Sequence, residues 1–158
     1  MAMSMYVQMG DIKGESVESN HKDWIDVLSW TWGMTQTGSG HTGTGNSTAK
    51  VSVRDVSFTK YVDKATPNLI KQCCSGKAIG AVTLASNKSQ GWDYLVLEMK
   101  EVLISSVTSG GTGQDERLIE TVTLNFKSFT VKYTPQTDKG DKGAEIPAKW
   151  NIAANSEA

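Results

Sequence analysis

Apolar and polar residues alternate with a period of two through most of this chain, and the alternation repeatedly slips by one position. Successive side chains of a strand point to opposite sides, so such alternation reads as strands with one buried face. Met3, Met5, Val7 and Met9 share a face of the first. Between Trp24 and Gln36 one face carries Trp24, Asp26, Leu28, Trp30, Trp32 and Met34. The other carries Ile25, Val27, Ser29, Thr31, Gly33 and Thr35 and grows polar towards its end. From Lys50 to Thr59, Val51 and Val53 are out of phase with Val56 and Phe58, which places a bulge near Arg54 and Asp55. The same slip separates Leu95, Leu97 and Met99 from Val102 and Ile104, and Leu124 and Phe126 from Phe129, Val131 and Tyr133. Strands that change faces belong to strongly curved sheets and barrels, so the expected class is mainly β.

One helix stands out, Thr66 to Lys77, with Thr66 as N-cap, Pro67 in the first helical position and Gly76 as the stop. Leu69, Ile70, Cys73 and Cys74 fall on one stripe, and both cysteines read as small core-facing apolar residues. "TSGGTGQDE", Thr108 to Glu116, reads as a glycine-rich hairpin loop. Pro135 to Pro147 reads as a charged loop before a last strand around Lys149 to Ile152.

A chain of 158 residues with no compositional break is expected to form one domain, 1–158. Sixteen basic and seventeen acidic residues, scattered along the chain, give a net charge of −1 and little attraction for nucleic acid or a membrane surface. "MAMSMYVQMGD" lacks the pattern of a cleaved signal peptide, and no segment approaches a membrane span. Folding in the cytoplasm is therefore expected, with any export independent of a cleaved leader. Adjacent cysteines at 73 and 74 exclude an intrachain disulfide framework, and no metal ligand set or cofactor site is expected.

The stretch Gly38 to Gly43 has the spacing of a phosphate-binding loop. Such a loop must lead into a helix and, in its Walker form, carry a lysine, whereas here Thr44 and then a strand follow. A strand-to-strand excursion is the better reading. Glu15, Glu18, Asp23 and Asp26 beside His21 could supply acid/base chemistry, but Glu15 to Asp23 reads as a solvated connection, and no nucleophile motif accompanies it. The stripe of Trp24, Trp30 and Trp32 could stack sugars or bases. Leu28 and Met34 on the same face favour burial instead.

Three segments, "GESVESNHKDWIDVLSWTWGMTQ" (Gly14 to Gln36), "VSFTKYVDKATPNLIKQCCSGK" (Val56 to Lys77) and "KEVLISSVTSGGTGQDERLIETVTLNF" (Lys100 to Phe126), together with "KWNI", resemble in order the haemolysin-coregulated protein (Hcp) family of bacterial type VI secretion. The resemblance implies a small closed or curved β-barrel built from two sheets, with one helix at its side. It implies a structural protein rather than an enzyme: homohexameric rings that stack into a tube, driven from the cell by a contractile sheath with the spike protein and baseplate, and holding small effector proteins in the lumen. By matching motif, Ser29 and Thr31 face that lumen. Thr37, Gly38, Ser39, Gly40, His41, Thr42, Gly43, Thr44, Gly45 and Asn46 occupy the place of the family's extended loop, which contacts neighbouring subunits and the adjoining ring.

Overall fold

The computed structural model describes residues 3–37, 50–88 and 91–157. Of the expected contact loop, Thr37 to Asn46, only Thr37 is described, as an exposed residue, and residues 38–46 lie outside the described residues. Among the described residues the order is β1 (Ser4–Met9), β2 (Ile25–Val27), β3 (Ser29–Thr31), β4 (Met34–Thr35), β5 (Ser52–Val53), β6 (Val56–Tyr61), α1 (Thr66–Ser75), β7 (Ile79–Asn87), β8 (Asp93–Gly110), β9 (Ile119–Asn125), β10 (Ser128–Tyr133) and β11 (Ile146–Asn151). The chain is mainly β, as the alternation predicts. No helix among the described residues is long and apolar enough to cross a membrane.

The main sheet runs β2-β1-β7-β8-β9-β6-β3, while β10 pairs with β8 and β11 with β10. Its two ends, β2 and β3, are separated in sequence by Leu28 alone. The sheet therefore curls and brings these ends close without pairing them, and the Leu28 N–H donates to the Thr59 carbonyl of β6 at 2.8 Å across the seam. The stretch Trp24 to Gln36, expected as one strand, is three. β2 pairs with β1, and β3 pairs with β6 on the opposite side of the seam. The chain resets its phase as it crosses. Ile25 and Val27 are buried, Leu28 and Met34 are exposed, and Trp30 and Trp32 pack half-buried against the core. The single tryptophan-bearing stripe is thus not continuous.

The other slips fall where expected. Arg54 and Asp55 separate β5 from β6, and Val56 and Phe58 are completely buried. Strand β8 pairs through residues 95–100 with β10 and through 103–110 with β9. Between these stretches Glu101 takes a positive φ of 52°, which lets Met99 and Val102 both face inward. The core lies inside this curl, and complete burial of a side chain such as Phe58 or Leu84 contributes about 1.5–3 kcal/mol. The last strand begins at Ile146, earlier than expected, and includes Pro147, which an edge strand tolerates.

The helix spans Thr66–Ser75 and ends at Gly76, whose φ of 68° suits glycine. Its N-cap is Ala65, with no side-chain cap, rather than Thr66. The Thr66 hydroxyl is drawn instead into a buried ionic cluster. The expected core stripe is also narrower than the sequence suggests. Leu69 is buried and Cys73 packs against the core, whereas Ile70 and Cys74 are exposed. Of the expected stripe, the i, i+4 pair Leu69 and Cys73 packs against the core, and Thr66, one turn before Leu69, is held by the sheet residues Lys60 and Glu120.

Candidate functional site

Four strands, β3, β6, β9 and the second half of β8, place their hydroxyl residues in register. Ser29 pairs with Thr59, Thr59 with Thr121, and Thr121 with Thr108. Two residues along, Thr31 pairs with Ser57, Ser57 with Thr123, and Thr123 with Ser106. Directly opposed residues of neighbouring strands share a face, so these eight side chains form two parallel rows on one surface. The alternate positions, Trp30, Phe58, Val122 and Val107, make a third cross-strand row that packs into the core. The hydroxyls therefore point outward. Ser29, Thr31 and Thr108 are exposed and the other five are half-buried beside their neighbours.

Some of these groups bond to each other. Ser57 Oγ and Thr123 Oγ1 lie 2.9 Å apart, and Thr59 Oγ1 and Thr121 Oγ1 3.5 Å. A hydroxyl both donates and accepts, and it rotates to suit its partner. A surface carrying eight of them and no charge within the rows can match many polar surfaces. It exerts no long-range attraction on a charged one. At one end of the rows Asp55 accepts from Ser105 Oγ at 3.0 Å and from Asn125 Nδ2 at 2.9 Å. At the other end the Arg117 guanidinium lies 4.0 Å over the Tyr61 ring, beside a cavity of about 190 Å³ lined by Glu15, Asp26, Leu28 and Asp63. Burial, with the nearby Asp63 charge, pushes the Asp26 carboxyl above its ordinary range.

Beneath the rows the inward face changes character. Next to Phe58 and Val122, Lys60 and Glu120 are cross-strand partners, 0% and 1% exposed. Lys60 Nζ donates to Glu120 Oε1, to Asp63 Oδ1 at 3.0 Å and to Thr66 Oγ1 at 3.3 Å. Glu120 also accepts from Thr66 Oγ1 at 2.7 Å and from Ser109 Oγ at 3.0 Å. Burial alone raises the pKa of the Glu120 carboxyl, but these hydrogen bonds outweigh it and hold the group below its ordinary value.

A second polar cluster surrounds His21. Its Nδ1 meets Glu18, and its Nε2 lies 2.9 Å from Asp93 at the start of β8. The ring stacks on Tyr6 at 4.5 Å and meets the edge of Trp24 at 4.7 Å. The connection from Glu15 to Asp23, expected to be solvated, is therefore anchored, and His21 is 1% exposed. The hydrogen bond with His21 holds Glu18 below the usual carboxylate range. Gly14 lets this connection lie directly on β2, since a Cβ there would collide with the Trp24 carbonyl. Of the expected acidic cluster Glu15, Glu18, Asp23 and Asp26, Glu18 is the member that bonds to the His21 ring, and the second carboxylate comes from Asp93. Glu15 instead accepts from the Lys64 N–H at 2.7 Å. Among the described residues no group of three or more His, Cys, Asp or Glu side chains is placed to hold a metal ion.

Sequence reasoning identified Ser29 and Thr31, and the structure puts both on the outward face of β3. It missed Ser57, Thr59, Ser106, Thr108, Thr121 and Thr123, which complete the rows. Their signal is the alternation of hydroxyl and apolar residues in "VSFTKY", "SSVTSG" and "ETVTLN".

The chain is thus a curled, mainly β protein with a broad, neutral, hydroxyl-bearing sheet face. Residues 6–133 match the family described as "Type VI secretion system effector, Hcp", and the chain belongs to that family of type VI secretion proteins. It is 48% identical to Protein hcp1 of Pseudomonas aeruginosa PAO1 across 162 aligned positions that span the whole of both chains. Among solved structures, a type six secretion system protein superposes with a TM-score of 0.93 at 28% identity, over 99% of this chain and 100% of that one. Hcp1 from Salmonella typhimurium superposes with a TM-score of 0.84 at 34% identity, over 100% of each.

Proposed function

We propose that this protein is the structural subunit of a type VI secretion tube and has no catalytic role. Six copies close into a ring, rings stack, and the hydroxyl rows line the central hole. The observation that carries this reading is the neutral face itself, in which eight Ser and Thr side chains from four strands stand in register. A conduit must hold its contents without trapping them. Hydroxyls give many individually modest contacts, and a ring repeats those contacts in every subunit, so retention comes from number rather than from strength. Small effector proteins are the cargo of this reading. Head-to-tail contacts close each ring, and residues 37–46 serve ring and stacking contacts. The assembled tube engages the spike protein, baseplate and sheath, forms in the cytoplasm and leaves with its cargo.

Negative-stain electron microscopy with light scattering for native mass tests the assembly, and six-subunit rings with an open centre are expected. Thr31→Gln is expected to leave those rings intact and to reduce co-purification of cargo. Loss of rings in that variant would place Thr31 at a subunit contact instead.

A further inference from the structure

Two neighbouring strands of the hydroxyl face, β6 and β9, are written in nearly the same pattern. In β6 the inward residues are Val56, Phe58 and Lys60, with Ser57 and Thr59 outward. In β9 they are Glu120, Val122 and Leu124, with Thr121 and Thr123 outward. A slip of two residues between these strands would preserve apolar-inside and hydroxyl-outside. In the slipped arrangement Thr59 would oppose Thr123 and Phe58 would oppose Leu124, both acceptable pairs. Binary patterning therefore excludes a slip of one and leaves a slip of two open.

Nor does a turn settle the register. Hairpin registers are fixed by the short loops that join their strands. Between β6 and β9 the chain instead passes through α1, β7 and β8. The loop that delivers β9 from β8, residues 111–118, is exposed throughout and longer than the two-residue turns that fix a hairpin register. What does distinguish the registers is the one charged pair on the inward face. In the observed register Lys60 opposes Glu120, and every polar atom of the pair has partners from Asp63, Thr66 or Ser109. In a register shifted by two, Lys60 would face Val122 or Leu118, and Glu120 would face Phe58 or Val62. Either shift separates the two charges: Lys60 keeps Asp63 and Thr66 from its own stretch of chain, whereas Glu120 loses its ammonium partner and the Thr66 hydroxyl.

We propose that the buried Lys60–Glu120 pair is the register pin of this sheet, selecting the single alignment of β6 and β9 in which both hydroxyl rows run unbroken from strand to strand. Lys60 and Glu120 are thus positioning residues for the outward face, although neither reaches it. Thr66 and Asp63 extend the same device to α1, because the helix start is bonded to the pair and so reads the same register. That the rows face a lumen rests on the tube reading; the pin itself does not.

Cysteine trapping reports the register directly. Ser57→Cys with Thr123→Cys joins residues that are paired in the observed alignment. Thr59→Cys with Thr123→Cys joins residues that meet only after a slip of two. The bridges are mapped by peptide mass, so that Cys73 and Cys74 do not confuse the result. With Lys60 and Glu120 present, only the first pair is expected to close. In Lys60→Met/Glu120→Val, which replaces the pin with an apolar pair, the slipped bridge is expected to rise about tenfold. A folded Lys60→Met/Glu120→Val protein that forms only the in-register bridge would overturn the proposal. If that variant does not fold, Glu120→Gln carries the same test: a slipped bridge supports the pin and its absence overturns it. Electron microscopy of the unmodified protein separates the two ideas, since missing rings would remove the tube reading and leave the trapping result standing.

Discussion

The two faces of the sheet formed by β3, β6, β9 and the end of β8 share a backbone and answer to different demands. Inward, Trp30, Phe58 and Val122 fill the curl, and Lys60 and Glu120 pair with each other. Outward, hydroxyls stand where packing does not choose among residue types. The difference teaches that one face specifies the fold and the other is free to specify contacts. A strand with a period of two lets selection act on the faces separately.

Phe58→Ala presses hardest on this contrast. It empties a fully buried site in the middle of the inward face, and about 3–5 kcal/mol of stability should be lost in denaturant unfolding. A loss near zero would mean that the inward face is not the specifying one. Acidification has a smaller effect on the same face. The folded-state pKa of Glu120 is depressed, so its contribution is present above the ordinary carboxylate range and disappears as pH falls through the folded value. The stability gap between the unmodified protein and Glu120→Gln should therefore narrow on acidification, as pH titration of the unfolding midpoint would show. A gap that widened would reverse the assigned sign. Substitutions on the outer face should matter least. Ser57→Ala removes one hydroxyl contact to Thr123 and should cost about 1 kcal/mol or less. Thr108→Ala, at an exposed position, should stay within about 0.5 kcal/mol. Equal losses at Phe58 and Thr108 would dissolve the distinction between the faces.

Much of the fold was legible because face slips leave a local trace. The offset between Val53 and Val56 marked the break at Arg54 and Asp55, and the offset between Met99 and Val102 marked the place where β8 passes from one set of partners to the other. The seam at Leu28 was not legible. Its cause is that β2 and β3 bind opposite ends of the sheet, and periodicity within a strand carries no information about partners. The same limit explains the site. The alternation at Ser29 and Thr31 predicted their outward direction, but the rows depend on alignment with β6, β9 and β8. His21 illustrates it most sharply. Its neighbours in sequence are polar, and the partner that makes it a buried anchor, Asp93, arrives from the start of β8. Thr66 likewise carried a sound capping signal, which lost to a carboxylate and an ammonium brought from two other strands.

The seam has a mechanical consequence. Where two edges of a curled sheet meet through hydrogen bonds alone, shear can unzip them one bond at a time. Here the edges are joined by the main chain itself, passing through Leu28 from β2 to β3. Load that tends to open the curl at that point is borne by covalent bonds, and rupture must start elsewhere. The ladder between β10 and β11 has no further strand paired beyond β11 among the described residues, and it includes a proline, which cannot donate a hydrogen bond. Under force the molecule should fray from its C-terminal edge while the curl stays shut.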